Sequence, residues 1–181
     1  MSLYRRLGEL GSKYISKNKL FKYGFNLSPM YRRSTGRVTH VSPDLHEVRV
    51  RLPISYKNRN YANSIFGGSM FSAVDPFPMV QLLNILDHEY VVWDRSAKIS
   101  FKKPAKETLF ASFIYTPNEI QQIKDQIAIE NEMNFIKTTN LTNEDGTIVY
   151  CTIEKEIYVA DKKFFTEKQA KRKKGKHKSA R

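Results

Sequence analysis

The sequence predicts an α+β domain in which a curved antiparallel sheet of five or six strands wraps round one long buried helix. The helix comes from residues 67–86, where Met70, Val74, Phe77, Val80, Leu82 and Ile85 spread nearly all round a helical wheel, the mark of a helix buried on every side. The sheet comes from period-2 alternation of apolar and polar residues on both sides of that helix. A chain of 181 residues, 40% hydrophobic and 12% aromatic, suffices for one domain with appendages.

The elements follow in order. Leu3, Leu7, Leu10 and Tyr14 have the spacing of an amphipathic helix with a cationic far face, so residues 1–25 read as a helical lead-in packed on the body, with membrane-surface attachment as the alternative. Arg5, Arg6, Glu9, Lys13 and Lys17 interrupt any signal peptide or spanning segment there, and a cytoplasmic location is the expectation. Residues 26–160 form the predicted domain. Arg37–Val41 and Leu45–Leu52 read as strands joined by Ser42-Pro43-Asp44. In the second, Val48, Val50 and Leu52 face one way and Glu47, Arg49 and Arg51 the other, so one side of the sheet is buried. A loop, residues 56–64, leads into the helix. Further strands are expected over 91–103, 109–116, 127–139 and 147–159, the last two joined by Asn143-Glu144-Asp145-Gly146, whose Asp-Gly favours a tight hairpin. Residues 118–126 fit either a short helix or an irregular connection.

The formal charge of +13 is concentrated at one end: residues 162–181 hold ten Lys/Arg against one Glu, and the other 161 residues carry +4. With no apolar periodicity, residues 161–181 are expected to be a disordered tail. Its expected role is that of a solvated extension, weak salt-sensitive contact with nucleic acid or anionic lipid being the alternative. No dedicated nucleic-acid site is expected. The single cysteine, Cys151, excludes an intrachain disulfide and reads as a buried strand residue. The four histidines lack metal-ligand spacing, so no metal is expected.

The chemistry-bearing stretch is Asn63 to Pro76, which sets a glycine pair, Gly67-Gly68, at the mouth of the apolar helix and one carboxylate, Asp75, two turns in. Backbone N–H groups at a helix start are free to meet a carbonyl oxygen or an anion, and a carboxylate is costly in so apolar a run. Each feature also has a plainer reading. Asp75-Pro76-Phe77-Pro78 fits an N-cap with proline in the first turn, and the glycines fit a tight turn or close helix–sheet packing. Gly67 to Phe71 lacks the second flanking glycine of a nucleophile elbow, so serine-hydrolase chemistry is not expected.

The pattern of Phe66 to Pro78, Phe-Gly-Gly…Asp-Pro-Phe-Pro, followed by Val-Val-Trp-Asp-Arg-Ser-Ala-Lys-Ile-Ser-Phe-Lys-Lys-Pro at Val91 to Pro104, resembles the hotdog-fold thioesterase superfamily. It is most similar to an uncharacterised branch of it, related to the phenylacetyl-CoA type by the spacing from Gly67 to Asp75. The resemblance covers about Asn26 to Ala160. It implies an acyl-CoA thioesterase with Asp75 as the catalytic carboxylate, no cofactor beyond the coenzyme A of the substrate, and a site built from two subunits of a homodimer or dimer of dimers. In that reading the Gly68 N–H, helped by Gly67 and the helix dipole, holds the thioester oxygen and Asp75 acts as base or nucleophile. Gly68 and Asp75 are seven residues apart, roughly 10 Å along a helix, too far to serve one carbonyl from a single chain. Characterised relatives often carry His where this chain has Phe66, leaving Asn63 or Ser64 as replacements for a polar group or as ordinary loop residues. The strand after the helix implies phosphate contacts for Arg95, Lys98 and Lys103, which also read as solvated surface cations; Trp93 reads as core or dimer interface. The alternatives to hydrolysis are a non-catalytic acyl-CoA or acyl-chain binder and a regulatory module held to nucleic acid by the tail. Hydratase chemistry lacks a local His/Asp pair.

Overall fold

The computed structural model describes residues 15–86 and 89–178. The spacing of Leu3, Leu7, Leu10 and Tyr14 lies outside them. The chain runs α1 (Lys17–Leu27), α2 (Pro29–Arg32), β1 (Arg37–Val41), β2 (Glu47–Leu52), α3 (Gly67–Val74), α4 (Phe77–Ile85), β3 (Tyr90–Phe101), β4 (Leu109–Ile114), α5 (Pro117–Glu130), β5 (Glu132–Thr142), β6 (Val149–Asp161) and α6 (Lys162–Lys178). The six strands form one antiparallel sheet in the order β1-β2-β4-β5-β6-β3, curved round the central helical segment. This is the expected hotdog architecture.

The central helical segment is two helices. Pro76 and Pro78 have no N–H to give to carbonyls one turn back, so the ladder lapses at Asp75-Pro76. Both residues stay in the right-handed helical region (φ −49°, ψ −47° and φ −76°, ψ −22°), which kinks the path without reversing it. Two buried tyrosines donate to carbonyls near the break, Tyr31 to Ala73 O at 3.0 Å and Tyr115 to Pro78 O at 2.9 Å. Around the first half and the opening residue of the second, a core gathers Met70, Ala73, Val74 and Phe77 against β1, β2 and β4, and α1 joins it through Phe21 and Phe25. Around the second half, Leu82 and Leu86 meet Ile157 and Val159 of β6.

The undecided residues 118–126 belong to α5, which also takes 127–130 from the strand expected over 127–139. Thr116 caps it, accepting from the Glu119 N–H at 3.1 Å, Pro117 starts it, and Ile120, Ile123 and Ile127 bury one stripe. Asn131, in the left-handed region at φ 63°, ends it, and β5 begins one residue later.

Residues 162–178, expected to be without structure, form helix α6. The Phe164 N–H donates to Asp161 Oδ1 at 2.9 Å, Phe165 meets the edges of Trp93 and Tyr158, and Lys168 pairs with Glu132. A cap, an aromatic anchor and an ion pair thus fix the first turns, where charge counting alone saw a solvated run.

The two edges of the sheet differ. Along β1, side chains of α1 occupy the free backbone groups: Asn26 exchanges two hydrogen bonds with Val38 at 2.9 Å each, Lys22 donates to Thr39 O at 2.6 Å, and Asn18 to Val41 O at 3.2 Å. β3, twelve residues long, has β6 on one side and no strand on the other among the described residues.

Candidate functional site

Helix α3 opens at Gly67 with Phe66 as its N-cap residue and no capping side chain. The approach to it is held firmly. The Ile65 N–H donates to Ala105 O at 2.8 Å and the Phe66 N–H to Asn58 O at 2.7 Å, while the buried Asn58 bridges Thr35 and Pro53 at 2.7 and 2.8 Å. Among the described residues the Gly67 and Gly68 N–H groups have no backbone acceptor, as helix geometry requires. A Cβ on Gly67 would lie 2.7 Å from the Phe101 ring and one on Gly68 2.3 Å from the Phe66 ring, so both glycines permit close approach of an aromatic side chain.

Beside this helix mouth lies a cleft of ≈ 360 Å³ lined by Ser64, Gly67, Met70, Phe101 and Lys103 among others. It brings together three of the sequence-derived candidates: Ser64, Gly67 and Lys103. Ser64 is already engaged, its hydroxyl and backbone bonded to Asn60 at 2.8–3.2 Å. Asn63 stands outside the lining in a turn with φ 57°, its N–H on Asn60 O at 3.0 Å. Phe66 is 58% exposed at the same mouth.

Asp75 lies past the opposite end of α3. It does not cap α4, whose N-cap position is taken by Pro76 with no side-chain bond. The reason is local: of the three amides a cap at Asp75 could serve, two belong to Pro76 and Pro78 and carry no hydrogen. Instead Asp75 Oδ1 accepts from Lys155 Nζ at 2.5 Å. The same ammonium donates to Asp94 Oδ2 at 2.8 Å. Lys155 is 4% exposed, against 39% for Asp75 and 26% for Asp94, so one buried cation joins two carboxylates that reach toward solvent. Asp75 Oδ2 makes no hydrogen bond among the described residues, whereas Asp94 Oδ1 is buried and unpartnered. Burial pushes the Asp94 carboxyl above the usual carboxylate range; the Lys155 ammonium opposes that rise and the Asp75 charge adds to it.

Lys155 and Asp94 were not among the sequence candidates, although a signal was present. Cys151, Ile153, Ile157 and Val159 are the inward residues of β6, and Lys155 occupies the missing member of that alternation. A lysine on a core face demands a partner. Asp94 faces it from β3, just before the register shift between Asp94 and Ser96.

Arg95 and Lys98 do not join these groups. The Arg95 guanidinium lies 4.6 Å over the Tyr158 ring in a cleft of ≈ 320 Å³ under α6, with Trp93, Phe165 and Arg172; Asp94 borders this cleft, but Asp75 and Lys155 do not. Lys98 is 76% exposed and sits 3.6 Å from Glu154. Cys151 is buried, which pushes its thiol up to about 11 and removes it as a nucleophile. Among the described residues no three His, Cys, Asp or Glu side chains are placed to hold a metal ion, and no helix is long and apolar enough to cross a membrane.

Solved structures share this architecture. A Pseudomonas aeruginosa protein of unknown function, named as a probable thioesterase, superposes with a TM-score of 0.68 at 18% identity, over 79% of this chain and 95% of its own. A Haemophilus influenzae thioesterase gives 0.56 at 8% identity, over 79% and 90%, and a Staphylococcus aureus thioesterase variant 0.52 at 9%, over 74% and 99%. At these identities the likeness is one of fold. No curated protein matches the sequence. The family described as Domain of unknown function (DUF4442) matches residues 17–159, from the first turn of α1 almost to the end of β6, and the chain belongs to that family.

Proposed function

We propose that the protein hydrolyses an acyl-CoA thioester at a site formed between two copies of the chain. The observation that carries this reading is Asp75: a carboxylate at a helix break, one oxygen fixed by a buried ammonium and the other, on a partly exposed side chain, without a hydrogen bond among the described residues. In the proposed reaction Asp75 Oδ2 takes a proton from a water as that water attacks the thioester carbonyl. The Gly67 and Gly68 amides donate to the oxyanion that forms. The C–S bond then breaks, the proton passes to the leaving thiolate, and a carboxylic acid and free coenzyme A remain. Names of the structural neighbours support thioester chemistry, since two of those above are called thioesterases.

The two-chain site follows from distance. Gly68 and Asp75 stand at opposite ends of an eight-residue helix, about 10 Å apart, so each oxyanion pocket needs the carboxylate of another protomer. The long edge of β3, which no strand covers among the described residues, supports pairing there, because the β1 edge is already covered by Asn18, Lys22 and Asn26. In this reading Lys103, which lines the cleft beside Gly67, meets a phosphate of coenzyme A.

One observation favours the second reading, a non-catalytic acyl-CoA binder: the apolar Phe66 ring stands against Gly68, at a position where the resembling enzymes often carry His. Thiol release from a panel of short, aromatic and long acyl-CoAs separates the two. Hydrolysis predicts turnover by the wild type and loss of at least about 100-fold in Asp75→Asn with an unchanged fold. Saturable binding without turnover on every substrate would select the binder, and sedimentation as a monomer would remove the two-chain site.

A further inference from the structure

The charge of the folded body is unevenly distributed. Residues 15–66 contain ten Lys/Arg and two acids, Asp44 and Glu47. One of those acids, Glu47, is taken by Arg49 at 2.6 Å. A cleft of ≈ 520 Å³ between α2 and the loop after β2 is lined by Arg32, Arg33, Arg37 and Lys57 together with Pro29 and Tyr56, and no carboxylate borders it. None of those four cations has an ion-pair partner among the described residues. Arg37 also sits directly across from Arg51 in the β1–β2 register, an arrangement that costs stability without a counter-anion.

Large apolar side chains stand exposed on the elements that adjoin this cleft, and Tyr56 lines it. Tyr23 and Leu27, four residues apart on one face of α1, are 54% and 70% exposed; Met30 in α2 is 64% and Tyr56 is 85% exposed. A soluble phosphate ligand would account for the cations and not for these. A surface that combines unpaired Lys/Arg with protruding Leu, Met and Tyr matches the boundary of an anionic bilayer, where cations meet headgroup phosphates and apolar or amphipathic side chains enter the acyl region.

We propose that the α1–α2 turn and the loop after β2 form a peripheral docking surface for anionic lipid membranes, with Leu27, Met30 and Tyr56 inserting and Arg32, Arg33, Arg37 and Lys57 contacting headgroups. This surface is separate from the candidate site, and its test does not depend on catalysis.

The test is flotation of the full chain with phosphatidylcholine vesicles with and without phosphatidylserine. The wild type is expected to float only with phosphatidylserine and to dissociate as salt is raised. Arg32→Glu/Arg33→Glu should weaken partitioning by about 25-fold or more, at roughly fivefold per cation removed, and Lys57→Glu should act in the same direction from the other wall of the cleft. Leu27→Ser/Met30→Ser should weaken it several-fold without a change in charge. Lys171→Glu/Arg172→Glu, in α6, should keep most of it. All of these positions are exposed, and an unchanged melting curve shows that a loss is not unfolding. Three results would each overturn the proposal: no flotation with phosphatidylserine, loss only in the α6 pair, or loss in the arginine pair with full binding in the Leu27/Met30 pair. The last would mark a soluble-phosphate or polyanion site.

Discussion

Lys155 Nζ lies 2.5 Å from Asp75 Oδ1 and 2.8 Å from Asp94 Oδ2, so a single buried ammonium ties the helix break to the edge strand β3 through β6. Asp75 comes from a segment where two prolines have weakened the helical ladder, and without the ammonium its side chain has no partner among the described residues to fix its direction. Lys155 is therefore a positioning residue in the proposed chemistry. It aims one carboxylate oxygen outward by holding the other.

Replacing Lys155 by Met leaves two carboxylates facing each other at the edge of a core. The expected cost is about 3 kcal/mol, at the lower end for a broken buried pair because Asp75 and Asp94 can rehydrate. Lys155→Met/Asp75→Asn/Asp94→Asn should recover most of that loss, because neutral amides need no cation. Urea unfolding measures both, and a single variant as stable as the wild type would mean that the ammonium holds nothing.

Asp94→Asn separates the second carboxylate from the first. Burial raises the Asp94 carboxyl above its ordinary value of 3.8, so between that value and the higher folded one the native state binds more proton than the unfolded chain. Stability then falls as pH rises through this window. Asn cannot titrate, so the variant should gain on the wild type as pH is raised from acid toward neutrality, read as a converging urea midpoint. Its thiol release should stay within roughly tenfold of the wild type, since Asp75 keeps Lys155. An activity loss equal to that of Asp75→Asn would give Asp94 a direct role.

Much of the fold was legible because its signals are local. The alternation of Val48, Val50 and Leu52 and the all-round apolarity of residues 67–86 are properties of neighbouring residues; the first became β2, while the second became a central helical segment that is broken in two and leaves Ser72 and Leu83 exposed. The helix break was legible only as a proline pair. Whether Asp75 would cap it or leave it depended on a lysine eighty residues away, which no local pattern reports. Residues 127–130 were read as strand because Ile127 and Ile129 alternate, while the Thr116 cap and the stripe of Ile120, Ile123 and Ile127 extend the helix past them. The end of the chain was misjudged by composition. The Phe164 N–H, the Phe165 ring and Lys168 find partners on β6, on β3 and β6, and on β5 that charge counting does not see.

Gly68→Ala tests the helix mouth. Its new Cβ would meet the outer atoms of the Phe66 ring at 2.3 Å, and that ring is exposed enough to swing aside. Folding should therefore be preserved, with up to about 1 kcal/mol gained from helix propensity. The displaced ring then moves relative to the cleft beside Gly67, and KM for the preferred acyl-CoA should rise about tenfold while Phe66→Ala/Gly68→Ala restores it. Unchanged kinetics in both variants would place substrate away from this end of α3.

The attachment of α6 should be acid-labile. Glu132 accepts hydrogen bonds from Lys168 and from the Tyr158 hydroxyl, and these, Lys168 foremost, hold its carboxyl below the ordinary 4.5. On the other side of the bond, burial and Glu132 push the Tyr158 hydroxyl up to about 12. A lowered carboxyl contributes stability that is complete above the ordinary value and is lost as pH falls through the folded one. Trp93, the single tryptophan of the chain, reports on this contact: it stacks on Tyr158 at 4.6 Å and meets the edge of Phe165 at 5.0 Å. Its emission should change on acidification before the core unfolds, and Glu132→Gln should show the acid-form spectrum already at neutral pH. Emission that stays constant until global unfolding would mean that Phe164 and Phe165 hold the helix without the ion pair.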